Sequence, residues 1–153
     1  MMDILELIAA DHRTVDTLFA EIESAEDIET LYEICNQLYE ELSFHTEAED
    51  AVFYPALQAF EAVDALLREA EDEHVEIKDL LEEIKTLSPS SPQFRAKITD
   101  LKAAVQHHVE EEESQLFTIA RELMSQEDLE VLSDEFEGVK NEVKEAILVA
   151  LVR

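Results

Sequence analysis

Six residues of this sequence have the types and spacings that hold metal ions. His45 and Glu49 stand four apart, as do His108 and Glu112, so each pair lies on one face of a helix. There an imidazole nitrogen and a carboxylate oxygen can reach the same ion or neighbouring ions. His12 and His74 precede the two pairs by 33 and 34 residues, and a shift of 62 to 63 residues lays one set on the other. Two halves that each give His, His and Glu to one point describe a dinuclear centre with two bridging carboxylates. Mixed imidazole and carboxylate ligands suit iron better than manganese or zinc. Two imidazoles and two carboxylate oxygens per ion leave a position open on each, and an open position on a redox metal in an apolar pocket takes small oxygen or nitrogen ligands.

The elements that must position these residues are helices. Apolar residues recur at helical spacing as Leu5, Ile8, Val15, Phe19 and Ile22, then Leu31, Ile34, Leu38, Leu42 and Val52. A third stripe is Val63, Leu66, Ala70, Ile77, Leu81 and Ile84, and a fourth Phe94, Ile98, Leu101, Val105, Leu116, Ile119 and Leu123. A fifth segment, Leu129 to Leu151, carries Leu132, Phe136, Val139, Val143 and Ile147. The breaks are Ser24 to Asp27, a turn near Gln58 to Val63 hinted only by Pro55, and Ser88 to Pro92, with Ser91 as N-cap and Pro92 at the first helical position. Asp3 with Glu6 starts the first helix and Ser125 with Asp128 the last. The chain is thus predicted to be all-α: an up-down-up-down four-helix bundle over 1–125, with residues 126–153 an additional C-terminal helix packing on it.

The first four stripes are each interrupted once, and the interruptions are His12, His45 with Glu49, His74, and His108 with Glu112. Every helix of the bundle therefore turns one imidazole inward, and two add a carboxylate one turn later. In an antiparallel hairpin, residues equally far from the turn share a level. The midpoints of 12/45, 45/74 and 74/108 fall near residues 28, 60 and 91, close to the three predicted turns, so the six side chains meet in one layer. Buried ionised carboxylates cost several kcal/mol unless a cation or donors compensate them, so this layer calls for cations.

Composition narrows the partners. In 153 residues there are 11 basic and 39 acidic side chains, for a net charge of -28, with one Gly, three Pro and one Cys. Such a charge repels phosphates and anionic lipid head groups, so neither nucleic acid nor a membrane is expected as a partner, and cations are attracted. Cys35 has no intrachain partner for a disulfide, the start MMDILELIAADHR is not a signal peptide, and the longest apolar run, Ala146 to Val152, is too short to span a bilayer. A cytoplasmic location is expected.

The ordered set His, H-x-x-x-E, His, H-x-x-x-E resembles the hemerythrin-like, or HHE cation-binding, family of non-haem di-iron proteins. The flanking residues fit too: His45-Thr-Glu-Ala-Glu49-Asp-Ala-Val-Phe-Tyr-Pro55 is similar to the family's motif followed by an apolar pair and Pro, while the second copy has Thr118 in place of the Pro. The resemblance covers about residues 1 to 125, and the tail resembles the extra C-terminal helix of many bacterial members. It implies His12, His45, Glu49, His74, His108 and Glu112 as ligands to two iron ions, bridged by oxide or hydroxide. The invertebrate oxygen carriers use a fifth His; none points inward here, which resembles the four-His bacterial members and speaks against pure oxygen storage. The first expectation is binding or sensing of oxygen or nitric oxide, and the alternative is breakdown of peroxide, iron storage or iron-sulfur repair at the same site.

Some residues compete with this reading. His107 and Glu111 also form an H-x-x-x-E, but the duplication sets Phe53-Tyr54 on Leu116-Phe117 only if His108 is the ligand. The same duplication sets Asp11 on Glu73. Tyr54 and Phe117 read as core residues, with a Tyr hydroxyl near the metals the other possibility, and Cys35 reads as a small buried hydrophobe. A ferritin-like site needs two Glu-x-x-His motifs; Glu71 and His74 make one, but Val105 stands where the second Glu is required.

Overall fold

The structure, a computed structural model, describes residues 2–152, with side chains described as far as Ala146. Helix α1 spans Ile4–Ser24. Helix α2 begins as Ile28–Ala48, passes through a π-helical turn at Glu49–Phe53 and ends as Tyr54–Leu57. A 3-10 turn, Glu61–Val63, leads into α3, Asp64–Lys85. Helix α4 repeats the plan of α2: Pro92–Glu111, a π-helical turn at Glu112–Leu116, then Phe117–Leu123. Helix α5 is Gln126–Val152. The first four form the predicted bundle, and α5 lies along α1, α2 and the π turn of α2.

The helix starts follow the capping chemistry. Asp3, Asp27 and Ser91 each accept a backbone N–H three residues on, at 2.9, 2.8 and 3.3 Å, and Ser125 does the same for Asp128 at 3.1 Å. Pro55 does not mark the break itself. It sits just after the π turn, where its missing N–H is tolerated, and α2 runs on to Leu57.

Asp3 is more than a cap. Its other oxygen accepts from Arg121 at 3.2 Å and from Gln126 at 3.0 Å, so one fully buried carboxylate ties the start of α1 to the end of α4 and the start of α5. Burial works against its charge, but the bonds from Glu6, Gln126 and Arg121 prevail and hold its pKa below the usual carboxylate value. Asp3→Ala is expected to cost about 1–3 kcal/mol at neutral pH, about 2–10 °C in Tm for a chain of this size. Because the folded pKa is depressed, that stabilisation is present above about pH 4 and fades below it. Thermal melts of both proteins at pH 7 and pH 3 check both parts.

The core is divided. One apolar cluster holds Ile4, Leu5, Ile8, Phe53, Leu57, Leu67, Leu116, Leu129 and Phe136; the other holds Val15, Phe19, Leu38, Leu42, Ile77, Leu81, Ile98 and Leu101. The layer of inward histidines falls between them: His12 between Ile8 and Val15, His45 between Leu42 and Ala48, His74 between Ala70 and Ile77, and His108 between Val105 and Leu116. The stripes predict this closely, with two adjustments. Leu123, at the frayed end of α4, is exposed, and Ile34, Leu66, Ile119, Leu132, Val139 and Val143 are half-buried at the margins. The side chain of Ile147 and the apolar run after Ala146 lie outside the described residues.

Candidate metal centre

His12, His45, Glu49, His74, His108 and Glu112 are all buried, and the fold brings all six together. Each imidazole is fixed from behind. The Nδ1 of His12 donates to Glu113 at 2.7 Å, that of His45 to Asp11 at 2.9 Å, that of His74 to Asp50 at 2.9 Å and that of His108 to Glu73 at 2.8 Å. An ionised carboxylate only accepts, so a proton sits on Nδ1 of each ring, and Nε2 faces inward as the nitrogen left for a metal.

On the inner side these nitrogens meet two carboxylates. His12 Nε2 lies 3.1 Å from Glu112 Oε1, His45 Nε2 2.9 Å from Glu49 Oε1, His74 Nε2 3.2 Å from Glu49 Oε1 and His108 Nε2 3.3 Å from Glu112 Oε2. His74 and His108 bring their Nε2 atoms within 3.2 Å of each other. Yet His12 Nε2, His45 Nε2, both oxygens of Glu49 and Oε1 of Glu112 have no hydrogen-bond partner. They are close but not aligned on one another, as donors around a common centre would be. Each unpaired buried polar atom costs about 1–3 kcal/mol, so the layer is incomplete on its own. Imidazole nitrogens and carboxylate oxygens converging in this way fit metal ions, and iron is within their range.

Two buried groups have mutually close ligand atoms: Glu49, His74, His108 and Glu112, and His12, His45 and Glu112. Glu112 belongs to both. The two halves interlock here, since His12 of the first hairpin meets Glu112 of the second and His74 of the second meets Glu49 of the first.

Without metal, charge within the layer is balanced by protons. Burial opposes protonation of His45, but Glu49 and Asp11 outweigh it and push its pKa up to about 10. Burial likewise opposes protonation of His108, while Glu112, Glu49 and Glu73 push its pKa up to about 12. Glu49 is held well below the ordinary carboxylate range, since the surrounding imidazoles overcome its complete burial.

Tyr54 is the residue that helical periodicity misplaces. At about 100° per residue, position 54 falls half a turn away from position 45 on a continuous α-helix. The π turn uses an extra residue and brings it back: the Tyr54 N–H bonds to the Glu49 carbonyl, and the Phe117 N–H bonds to the Glu112 carbonyl. The Tyr54 hydroxyl donates to Glu112 Oε2 at 2.7 Å and lies 3.1 Å from His74 Nε2 and 3.4 Å from His108 Nε2. Tyr54 is a core residue, and its hydroxyl also reaches into the His/Glu layer. Phe117 only packs, edge-on to Phe53 at 6.1 Å.

The outer carboxylates Asp11, Asp50, Glu73 and Glu113 were not separable from the other acids by type. Their signal is positional: Asp11 and Glu73 directly precede His12 and His74, and Asp50 and Glu113 directly follow Glu49 and Glu112. Cys35 is buried and its thiol is pushed up to about 11 by that burial, which suits packing rather than reactivity.

His107 points away. Its ring is largely exposed and pairs with Glu73 at 3.3 Å and Glu111 at 3.2 Å, within a half-exposed group that includes Glu69. His107→Ala is expected to leave the metal content of the purified protein unchanged. Elemental analysis per chain checks this, and a lost ion would move the ligand from His108 to His107.

The comparisons with known proteins agree with this geometry. The Hemerythrin HHE cation binding domain profile matches residues 3–120. A protein of Nostoc sp. named DNA nickase is 36% identical over 146 residues, which are 95% of this chain but only 41% of the longer relative. An uncharacterised hemerythrin-like protein of Schizosaccharomyces pombe is 26% identical over 142 residues, 92% of this chain and 70% of that one. The crystal structure of a hemerythrin HHE cation binding domain-containing protein from Mycobacterium kansasii superposes with a TM-score of 0.87 at 24% identity, covering 99% of this chain and 93% of that one, and so shares the fold. With a matched profile over most of its length, the same helical bundle and a buried His/Glu layer able to hold metal, this chain belongs to the hemerythrin HHE cation-binding family.

Proposed function

We propose that His12, His45, Glu49, His74, His108 and Glu112 hold two iron ions, and that the protein binds or senses oxygen or nitric oxide at that pair. The observation that supports this reading most is the convergence of inward Nε2 atoms and unpartnered carboxylate oxygens in one buried layer, with every Nδ1 already committed outward. Iron held by these residues would supply redox chemistry toward a small diatomic ligand. The chain's own residues do the rest. The carboxylates behind the rings fix their planes and tautomers. The two apolar clusters above and below keep bulk water out. Tyr54 holds Glu112 through its hydroxyl and keeps a proton beside the site, since burial and then the nearby Glu49 and Glu112 charges drive its pKa well above the ordinary phenol value.

The test is anaerobic reconstitution with ferrous iron, an iron count per chain, and timed optical spectra after oxygen, or separately nitric oxide, is admitted. A persistent new spectrum that reverses when the gas is removed supports binding or sensing. Rapid passage to a stable ferric spectrum turns the reading toward peroxide breakdown or iron-sulfur repair.

The activity named for the Nostoc relative is not part of this reading. The net charge of -28 opposes contact with a polyanion, and more than half of that relative lies outside the match. Supercoiled plasmid incubated with the iron-loaded chain is expected to stay supercoiled on agarose gels; relaxed circles would assign nicking to this chain as well.

A further inference from the structure

Behind each of the four imidazoles stands a carboxylate, and behind each carboxylate stands a basic group. Arg13 pairs with Glu113 at 3.0 Å, Lys78 with Asp50 at 3.4 Å, His107 with Glu73 at 3.3 Å and Lys140 with Asp11 at 2.6 Å. The first three belong to the bundle, and their side chains are 61%, 55% and 64% exposed. Exposed pairs of that kind are screened by water and hold their partners weakly. Lys140 differs on both counts. It comes from α5, and its side chain is only 15% exposed.

The Asp11 carboxylate is pinned at both ends, with Oδ1 on Lys140 Nζ and Oδ2 on His45 Nδ1. The Lys140 ammonium also lies 5.8 Å from the centre of the Phe136 ring, and that ring packs edge-on against His45 at 6.2 Å. One turn of α5 thus reaches His45 by two routes, indirectly through the part-buried ion pair with Asp11 and directly through an aromatic edge. Shielding from water strengthens such a relay, and moving it requires moving α5.

We propose that Lys140 is a positioning residue of the metal centre: through Asp11 it fixes the plane and tautomer of His45, so that α5 sets the metal affinity of the position formed by His12, His45 and Glu112. The inference rests on the ligand reading above. It makes the C-terminal helix part of the centre and the two halves of the duplication unequal, since Glu73, the duplicate counterpart of Asp11, is backed among the described residues by an exposed imidazole.

Anaerobic titration of metal-free protein with cobalt(II), followed by its visible absorption, tests it. The binding step of the His12/His45/Glu112 position is identified by its loss in His12→Ala. In Lys140→Met that step should weaken about 10–100-fold while the other is unchanged, the effect typical of losing a group that orients a ligand. Lys140→Arg should restore it to within a few-fold. Lys144→Met removes a neighbouring lysine of α5 that lies over Phe44, 5.5 Å from its ring centre, and should leave both steps as in wild type. Wild-type binding in Lys140→Met overturns the proposal. So does equal weakening of both steps alongside a lowered metal-free Tm, which would make Lys140 a docking residue only. Wild-type protein that takes up no cobalt would overturn the ligand reading itself, and this inference with it.

Discussion

Glu112→Ala is expected to empty both metal positions, whereas His12→Ala should empty one. Glu112 is the member shared by the two buried ligand groups, with Oε1 toward His12 and Oε2 beside His108 and the Tyr54 hydroxyl. Its removal takes from the first position the carboxylate that lies close to both His12 and His45, and strips the second of its hydroxyl-braced ligand. Losing His12 leaves Glu49, His74, His108 and Glu112 intact as a group. Elemental analysis after gel filtration should therefore fall from two iron ions to about none in the first variant and to about one in the second. Retention of one ion by Glu112→Ala would show that the carboxylate serves a single position.

Removing the metal should be the largest single change in stability available to this fold. Five buried polar atoms lack partners in the layer, at about 1–3 kcal/mol each. A site saturated a thousandfold above its Kd contributes about 4 kcal/mol, so two give about 8 kcal/mol, or roughly 15–30 °C in Tm for a chain of this length. Melts of the iron-loaded protein with and without a chelator measure this directly. The metal-free form should also be sensitive to pH. The folded pKa of His45 is raised, burial opposing and Glu49 and Asp11 prevailing, to about 10. Its stabilisation is then complete below about pH 6.5, the ordinary imidazole value, and is lost as pH rises through about 10. Tm of metal-free protein should fall over that window. Iron loading near neutrality should release protons, which a pH-stat titration records.

Much of this centre is legible before any coordinates. An apolar stripe broken once per helix, always by His, gives the four histidines of the buried layer, and the shared distance from the turns gives their common level. The duplication chooses His108 over His107 because only that choice also superposes Phe53-Tyr54 on Leu116-Phe117. What periodicity does not supply is whatever depends on departures from the ideal helix or on charge among many charges. Tyr54 joins the ligands only because the helix changes pitch at Glu49, and nothing in residue type announces that. Asp11, Asp50, Glu73 and Glu113 lie among 39 acids, and only their matched places beside the ligands set them apart. Lys140 is out of reach for a further reason: which face of α5 meets α1 is settled by packing that brings positions 11 and 140 together across most of the chain.

The two π turns carry a history. Each is a helix with one residue too many, and each opens on the Glu of its H-x-x-x-E. Separate origins would need two insertions at matched places, whereas a hairpin that already carried the extra residue before it was copied needs one. That ancestral hairpin offered two imidazoles and a single carboxylate, and in the present chain the first hairpin's histidines meet the second hairpin's Glu112. By this economy of events the two hairpins read as copies of one, and the buried His/Glu layer is the seam along which they pack.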